Sequence, residues 1–369
     1  MTGSLGYVET QRAVLASASD PLVMRRGGRL EHVEVAYETY GSLNAARDNA
    51  IFVTHALTGN ANAAGLHLGE KKRGWWDNMI GPGKPVDTDR FFVISPNILG
   101  GCSGTTGPLS LDPATGRAYG LDFPMLHMGD LVEVHRRLLA PPGGGRPPPG
   151  GGGALGGGQI LQWGIDDPPA MDRAGLVAAS SRLSAENIAF SAVAREAIMS
   201  DPDFVGGRYA EQGVFPWRGQ KVARMMAHIT YVSEVTLEQK FGRRRRAGDA
   251  DWGLGPDFEV EHYLQHQGIT FLDRFDALSY LYLTRLIDYF DPFAEAGTAA
   301  ALGTTRTQFQ VTSFDSDWRF DTAQSRRMVA ELERCGVDAD FAELSSPYGH
   351  DSFLLEAPGY HDRVRAFLG

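Results

Sequence analysis

Short apolar runs of strand length recur along this chain, and each empties into a loop of small and polar residues. Ala50-Ile51-Phe52-Val53 feeds His55-Ala56-Leu57-Thr58-Gly59, and Phe91-Phe92-Val93-Ile94 stops at Ser95-Pro96-Asn97. The stretches 173–179, 307–312 and 339–344 repeat the pattern, while Val33, Val35 and Tyr37 alternate with polar neighbours as a half-exposed strand ending near Gly41. Helical periodicity lies between the runs. Leu131, Val134 and Leu138 share one face of a helix expected over about 123–139, and further helices are expected over 160–165, over 322–335 and from Gly359 onward. Apolar strands of this kind are buried on both faces, which requires helices on both sides of a mostly parallel sheet. The fold class is therefore α/β.

Between 183 and 293 the strand pattern stops. The stretch is rich in Met, Tyr, His and Arg and is broken at Gly206-Gly207, at Phe215-Pro216 and over 253–256. It reads as a helical insertion, dividing the chain into a first core part (1–182), the insertion (183–300) and a second core part (301–369). The tract 141–158 fits neither pattern. It is almost all Gly and Pro, interrupted by Arg146, Ala154 and Leu155. Proline removes ladder donors and glycine has no side chain to pack, so the composition reads as a flexible linker, although it lies between two core elements.

Bulk properties exclude several classes. With 35 basic against 45 acidic residues the net charge is −10, the wrong sign for a nucleic-acid partner. The basic run Arg243-Arg244-Arg245-Arg246 reads as a solvated loop. Cys102 and Cys335 stand far apart, giving no disulfide framework and no metal-ligand spacing. Residues 1–15 lack an apolar signal core, and no apolar run approaches the roughly 20 residues of a membrane helix. The expected setting is the cytoplasm, without a membrane partner.

Three places point to acyl chemistry. Asp317, in Ser313-Phe314-Asp315-Ser316-Asp317-Trp318, follows one predicted strand, and His350, in Gly349-His350-Asp351, follows the next. Acid and then histidine near the C-terminus is the order of the α/β-hydrolase fold, in which the nucleophile comes earlier on a Gly-rich elbow. Asp315 competes with Asp317 for the acid's role. The elbow itself is legible in Gly152-Gly153-Ala154-Leu155-Gly156-Gly157, but its central position is alanine. The loop around Leu57 can supply one N–H of an oxyanion hole, the other coming from Leu155, the residue after the nucleophile position. Neither Ser103 nor Cys102 has the spacing or the local partner of a replacement nucleophile.

Together with Gly74-Trp75-Trp76-Asp77, the segment Asn97 to Pro108, Leu161-Gln162-Trp163 and Gly219-Gln220-Lys221-Val222-Ala223-Arg224, these motifs resemble the homoserine O-acyltransferase family of the α/β-hydrolase superfamily. The resemblance spans nearly the whole chain apart from 141–158. It implies an α/β-hydrolase fold with a helical lid insertion, Ala154 at the nucleophile's position, Asp317 and His350 as acid and base, and Leu57 and Leu155 as the oxyanion hole. Arg224 would grip the carboxylate of L-homoserine and Asp351 its ammonium. His228 and Tyr231, at helical spacing from Arg224, either line the same tunnel or pack. The implied reaction is ping-pong transfer of acetyl from acetyl-CoA, a co-substrate, to the homoserine hydroxyl in methionine biosynthesis. No permanently bound cofactor or metal is implied, and the implied assembly is a homodimer.

A methyl group cannot form an acyl-enzyme, so three readings stand side by side. A compensated reading-frame slip in GC-rich coding DNA would write such a Gly/Pro/Arg burst between intact motifs. Alternatively the chain is a catalytically dead homologue that only binds ligand, or an acyltransferase or hydrolase acting on another alcohol such as serine.

Overall fold

Backbone pairing gathers the apolar runs into one sheet. In this computed structural model, which describes residues 3–140, 150–169, 171–246 and 253–369, they form β1 (Gln11–Ala16), β2 (Val33–Tyr40), β3 (Ala50–Thr54), β4 (Phe92–Pro96), β5 (Gly150–Gly153), β6 (Arg173–Val177), β7 (Gln308–Phe314) and β8 (Ala339–Leu344). The order across the eight-stranded sheet is β1-β2-β4-β3-β5-β6-β7-β8. β2 is antiparallel to both of its neighbours, and every pairing from β4 onward to β8 is parallel. This is the expected mostly parallel sheet. β1 went unread in the sequence because it is an edge strand whose Gln11 and Arg12 face solvent.

Helices cover the faces. α1 (Met128–Leu139) starts five residues later than its periodicity suggests. The Asp130 carboxylate accepts the His127 N–H at 2.8 Å and the Arg25 N–H at 2.8 Å, fixing the helix start there. α2 (Leu155–Asp166) buries Ile160, Leu161 and Trp163, the last edge-on to Phe52 of β3 at 5.1 Å. Between β6 and β7 the described elements are helical: α3 (Ala185–Met199), α4 (Trp217–Tyr231), α5 (Glu234–Lys240), α6 (Glu259–Leu272), α7 (Ala277–Asp288) and α8 (Thr298–Leu302), with short 3-10 turns. α9 (Thr322–Arg334) and α10 (Tyr360–Leu368) complete the second core part. Within the basic run, Arg244 pairs with Glu259 at 2.8 Å and Arg245 with Asp257 at 2.8 Å, tying α5's end to α6's start.

The Gly/Pro tract needs a correction. Its first part, 141–149, lies outside the described residues, but Gly150–Gly153 is the strand β5 and not a linker. It lies between β3 and β6, with Val53 opposite Gly151 and Val177 opposite Gly153. A parallel ladder is made by backbone groups alone, so a strand can persist where side chains supply no signal. Two of the glycines are required sterically. A Cβ at Gly152 would collide with Thr54 Oγ1 and lie 2.6 Å from the Gly156 carbonyl carbon; one at Gly156 would lie 2.9 Å from the Thr54 carbonyl carbon. Gly151 differs, since the nearest atom to its virtual Cβ is Gly175 O at 3.9 Å.

Filling Gly151 should therefore help the strand. Gly151→Val is expected to stabilise the protein by about 1 kcal/mol through lower unfolded-state entropy and higher strand propensity. Gly152→Ala is expected to cost about 1–3 kcal/mol through overpacking. Urea unfolding midpoints measure both, and equal shifts of the same sign would disprove the distinction.

Candidate active site

The elbow is a backbone feature before it is a chemical one. Ala154 sits between β5 and α2 with φ 52° and ψ −120°, a conformation an L-residue adopts at a cost of about 1–3 kcal/mol. Its N–H donates to Val177 O at 3.0 Å, locking the turn to β6. Thr54 Oγ1 donates to Gly156 O at 2.9 Å, locking α2's first turn to β3. Strand, tight turn and helix thus lift residue 154 onto the floor of a cavity of about 200 Å³. Leu155 is the first residue of α2, so its N–H is among those a helix leaves unpaired at its N-terminus.

Leu57 lines the same cavity, and its N–H has no partner among the described residues. The loop that carries it is braced from beneath. Buried His55 lies 2.7 Å from Ala56 O through Nδ1 and 3.0 Å from Asn97 Oδ1 through Nε2, and Ile98 N–H reaches the same Nε2 at 3.3 Å. Burial lowers the His55 pKa, which keeps the ring neutral. The Asn97 to Pro108 segment therefore orients the Leu57 loop.

His350 Nδ1 lies 2.7 Å from Asp317 Oδ2, both side chains being almost fully buried. Asp317 Oδ1 accepts the N–H groups of Arg319 at 3.0 Å and Phe320 at 2.9 Å, which fixes the carboxylate beneath the ring. Phe320 stacks on His350 at 4.8 Å. The competitor Asp315 is exposed and accepts the Ser346 N–H at 2.9 Å, away from the histidine. The Gly74 to Asp77 motif reaches this loop as well, since Trp76 Nε1 donates to Phe353 O at 2.7 Å.

Opposite them stand the charged groups of the insertion. Arg224, on α4, donates through Nη1 to Thr58 Oγ1 at 3.3 Å and lies over the rings of Phe271 at 4.4 Å and Tyr231 at 5.6 Å. Its Nε is buried without a partner, and among the described residues no carboxylate pairs with it. Burial raises the Asp351 carboxyl to about 6, opposed by the positive fields of His350 and then Arg224. His228 and Tyr231 are both on the wall. Burial, then Arg224, pushes His228 down to about 3, so it lines the cavity as a neutral ring. Cys102 is no substitute nucleophile, because burial pushes its thiol up to about 11.

The wall also includes Ser191, Thr284 and Arg319, none of which the sequence singled out. Arg319 follows Asp317 by two residues, and its position beside that candidate acid was the available signal. A larger groove of about 640 Å³, lined by Val232, Leu237, Phe241 and Trp318, lacks the elbow and the histidine. Chemistry favours the smaller cavity. Among the described residues no group of three or more His, Cys, Asp or Glu side chains could hold a metal ion, and no helix is long and apolar enough to cross a membrane.

Sheet order, elbow and acid–histidine pair define an α/β-hydrolase, and residues 49–357 match the family model for the alpha/beta hydrolase fold. A homoserine O-succinyltransferase of a Nocardioides species is 74% identical over 369 residues, covering 100% of both chains. A homoserine O-acetyltransferase of Caulobacter vibrioides is 48% identical over 354 residues, 95% of this chain and 93% of that one. The crystal structure of homoserine O-acetyltransferase from Bacillus anthracis matches with a TM-score of 0.89 at 25% identity, covering 98% of each chain. The chain belongs to the homoserine O-acyltransferase family of α/β-hydrolases.

The two opposed charges of the cavity give a direct test. Arg224→Met removes a positive neighbour of Asp351, so the charged carboxylate loses support and its midpoint moves upward from about 6. A ¹³C carboxyl titration, with Asp351→Asn identifying the signal, measures this. An unmoved midpoint would show that Arg224 exerts no field there.

Proposed function

We propose that this fold transfers an acyl group from an acyl-CoA thioester to the hydroxyl of L-homoserine, and that this chain keeps the recognition apparatus while lacking the nucleophile. The observation that carries the reading is a single cavity lined by residue 154, His350, Arg224 and Asp351. An amino acid is a zwitterion, and a guanidinium and a carboxylate facing one small space complement it. Arg224 takes the substrate carboxylate, Asp351 its ammonium, and the hydroxyl then points toward His350.

With a serine at position 154 the chemistry proceeds in two halves. His350, oriented by Asp317, removes the hydroxyl proton as the oxygen attacks the thioester carbonyl. The N–H groups of Leu57 and Leu155 receive the developing oxyanion. The carbon–sulfur bond breaks, and the CoA thiolate leaves with the proton from His350. His350 next deprotonates the homoserine hydroxyl, which attacks the acyl-enzyme carbonyl; the bond from that carbon to the serine oxygen breaks, the serine regains the proton from His350, and the O-acyl product leaves. The helices of the insertion close over the cavity as a lid and keep water from the ester. Ala154 offers no oxygen to the first half, and loss of a nucleophile costs about 10⁶ in turnover.

Acetyl is the acyl group the family resemblance implies, although relatives of this chain carry both the acetyl and the succinyl name. The reading includes a cytoplasmic homodimer, for which the exposed Val222 and Ile229 of α4 supply an apolar face. A serine in place of homoserine would leave the Arg224 and Asp351 contacts possible, so acceptor choice is settled by assay.

Ala154→Ser, preferably combined with Gly151→Val, is expected to give homoserine-dependent CoA release. The present chain should release none above background. Calorimetry of the present chain should show homoserine binding that weakens roughly ten- to hundred-fold in Arg224→Ala, the worth of a charge-assisted contact. Failure of both would overturn the reading. Resequencing codons 141–158 decides whether the glycine tract and Ala154 belong to the gene.

A further inference from the structure

The sheet stops short of the acid and the histidine. Pairing between β7 and β8 ends at Phe314 opposite Leu344, so Asp317 and His350 stand on two turns beyond the last rung of the ladder. Side chains take over from there. The Asp315 N–H donates to Leu344 O at 3.0 Å, its carboxylate accepts the Ser346 N–H at 2.9 Å, and the Ser346 and Ser352 hydroxyls lie 2.8 Å apart. Ser316 reaches closest to the histidine. Its Oγ donates to Ser346 O and accepts the Gly349 N–H at 2.9 Å. One hydroxyl therefore joins the residue before the acid to the residue before the base.

On its other side the histidine loop has no room to retreat. Gly349 has φ 69°, and a Cβ there would lie 2.5 Å from Ser233 N and 2.9 Å from Tyr231 O. Ser233 Oγ and Thr236 Oγ1 both donate to Pro347 O, the second at 2.6 Å. The loop is thus pressed between Ser316 and the junction of α4 with α5. The bond at stake is the one from His350 Nδ1 to Asp317 Oδ2 at 2.7 Å, between side chains 6% and 0% exposed. Such a bond weakens steeply with length and misalignment, and burial makes each increment count for more. Phe320 and Phe353 flank the ring at 4.8 and 5.2 Å, but apolar contacts of this kind restrain its tilt more than its distance from the carboxylate.

Resting on the proposed acyl-transfer reading, we infer that Ser316 is a positioning residue for the acid–base pair: its hydroxyl ties the turn of Asp317 to the loop of His350 and so sets the length and angle of the bond between them. It touches neither substrate nor nucleophile. Its effect passes through the backbone at Ser346 and Gly349.

The tie can be read without turnover. In the present chain labelled with ¹⁵N-histidine, the Nδ1 shift of His350 reports its bond to Asp317. His350→Gln identifies the signal by removing it, and Asp317→Ala gives the value for a broken bond. Ser316→Ala should move the shift part of the way to that value. Ser316→Thr, whose added methyl has the groove beside Val232 and Trp318 to occupy, should restore it. Ser316→Cys, a weak donor of similar shape, should fall between the two and decides the matter if the alanine variant does not fold. Ser233→Ala also removes a hydrogen bond from this loop, but Thr236 still holds Pro347 O, so the shift should stay where it is. In Ala154→Ser, Ser316→Ala should lower kcat roughly ten- to hundred-fold, the cost of a misplaced catalytic group, with little change in KM for the acyl-CoA. An unmoved shift in the Ser316 variants, or an equal movement in Ser233→Ala, overturns the assignment even where Ala154→Ser is active. Absence of transfer in Ala154→Ser, with the shift moved by Ser316→Ala, removes the acyl-transfer reading and leaves the tie between acid and base standing.

Discussion

The close approach of the elbow to Thr54 constrains everything above it. β5 and the first turn of α2 run so near β3 that a side chain at 152 or 156 would strike the Thr54 hydroxyl or carbonyl. The chain must therefore turn within one residue, and that residue, Ala154, takes a positive φ. The strain is offset by the packing of the next element, because α2 is buried along nearly its whole length against β3 and α1. The same geometry places residue 154 and Leu155, the first residue of α2, on the cavity wall. Acid and histidine then need only to arrive at the ends of β7 and β8, and in parallel strands those ends lie on one side of the sheet.

The cavity carries an electrostatic burden as well. Among the described residues Arg224 and Arg319 form no ion pair, and burial pushes Asp351 up to about 6, so the cavity wall bears the cost of charged groups that packing alone would not choose. A complementary ligand relieves these costs together. Aromatic faces from Phe271 and Tyr231 hold Arg224 in place without neutralising it, which keeps its charge available.

Legibility from sequence followed where side chains carry the information. β3 and β4 were readable because Ile51, Phe52 and Val53, or Val93 and Ile94, announce burial directly. β5 was not, since its pairing is made by backbone groups and four glycines have no hydrophobic pattern. For the same reason α2 begins at Leu155 and not at Ile160: Gly156, Gly157 and Gly158 are poor helix formers, and contact with β3 and β6 compensates. Asp317 and His350 were legible as a pair at successive strand ends, but only the fold removes Asp315 from competition. For Arg319 the sequence offers only its place two residues after Asp317; that it lines the cavity is a property of three-dimensional neighbours.

What Ala154 removes is smaller than it first looks. The elbow's conformation is set by the backbone contacts of Gly152 and Gly156, by the Ala154 N–H on Val177 and by the Thr54 hydroxyl, and a serine Oγ takes part in none of them. The charged side chains of the cavity wall stand on α4 and on the turns after β7 and β8, and of these the turn after β8 also packs on the elbow, Phe353 lying against Gly153. In the proposed reading covalent chemistry and ligand recognition are therefore separable: a methyl group at 154 carries no acyl group, while Arg224 and Asp351 remain on the cavity wall. The glycine strand before it acts on a third property, the rigidity of the sheet centre, because a ladder flanked by no side chains gains little from packing. The missing hydroxyl at 154 and the weak packing of β5 therefore have different physical origins, although they fall within a few residues of each other.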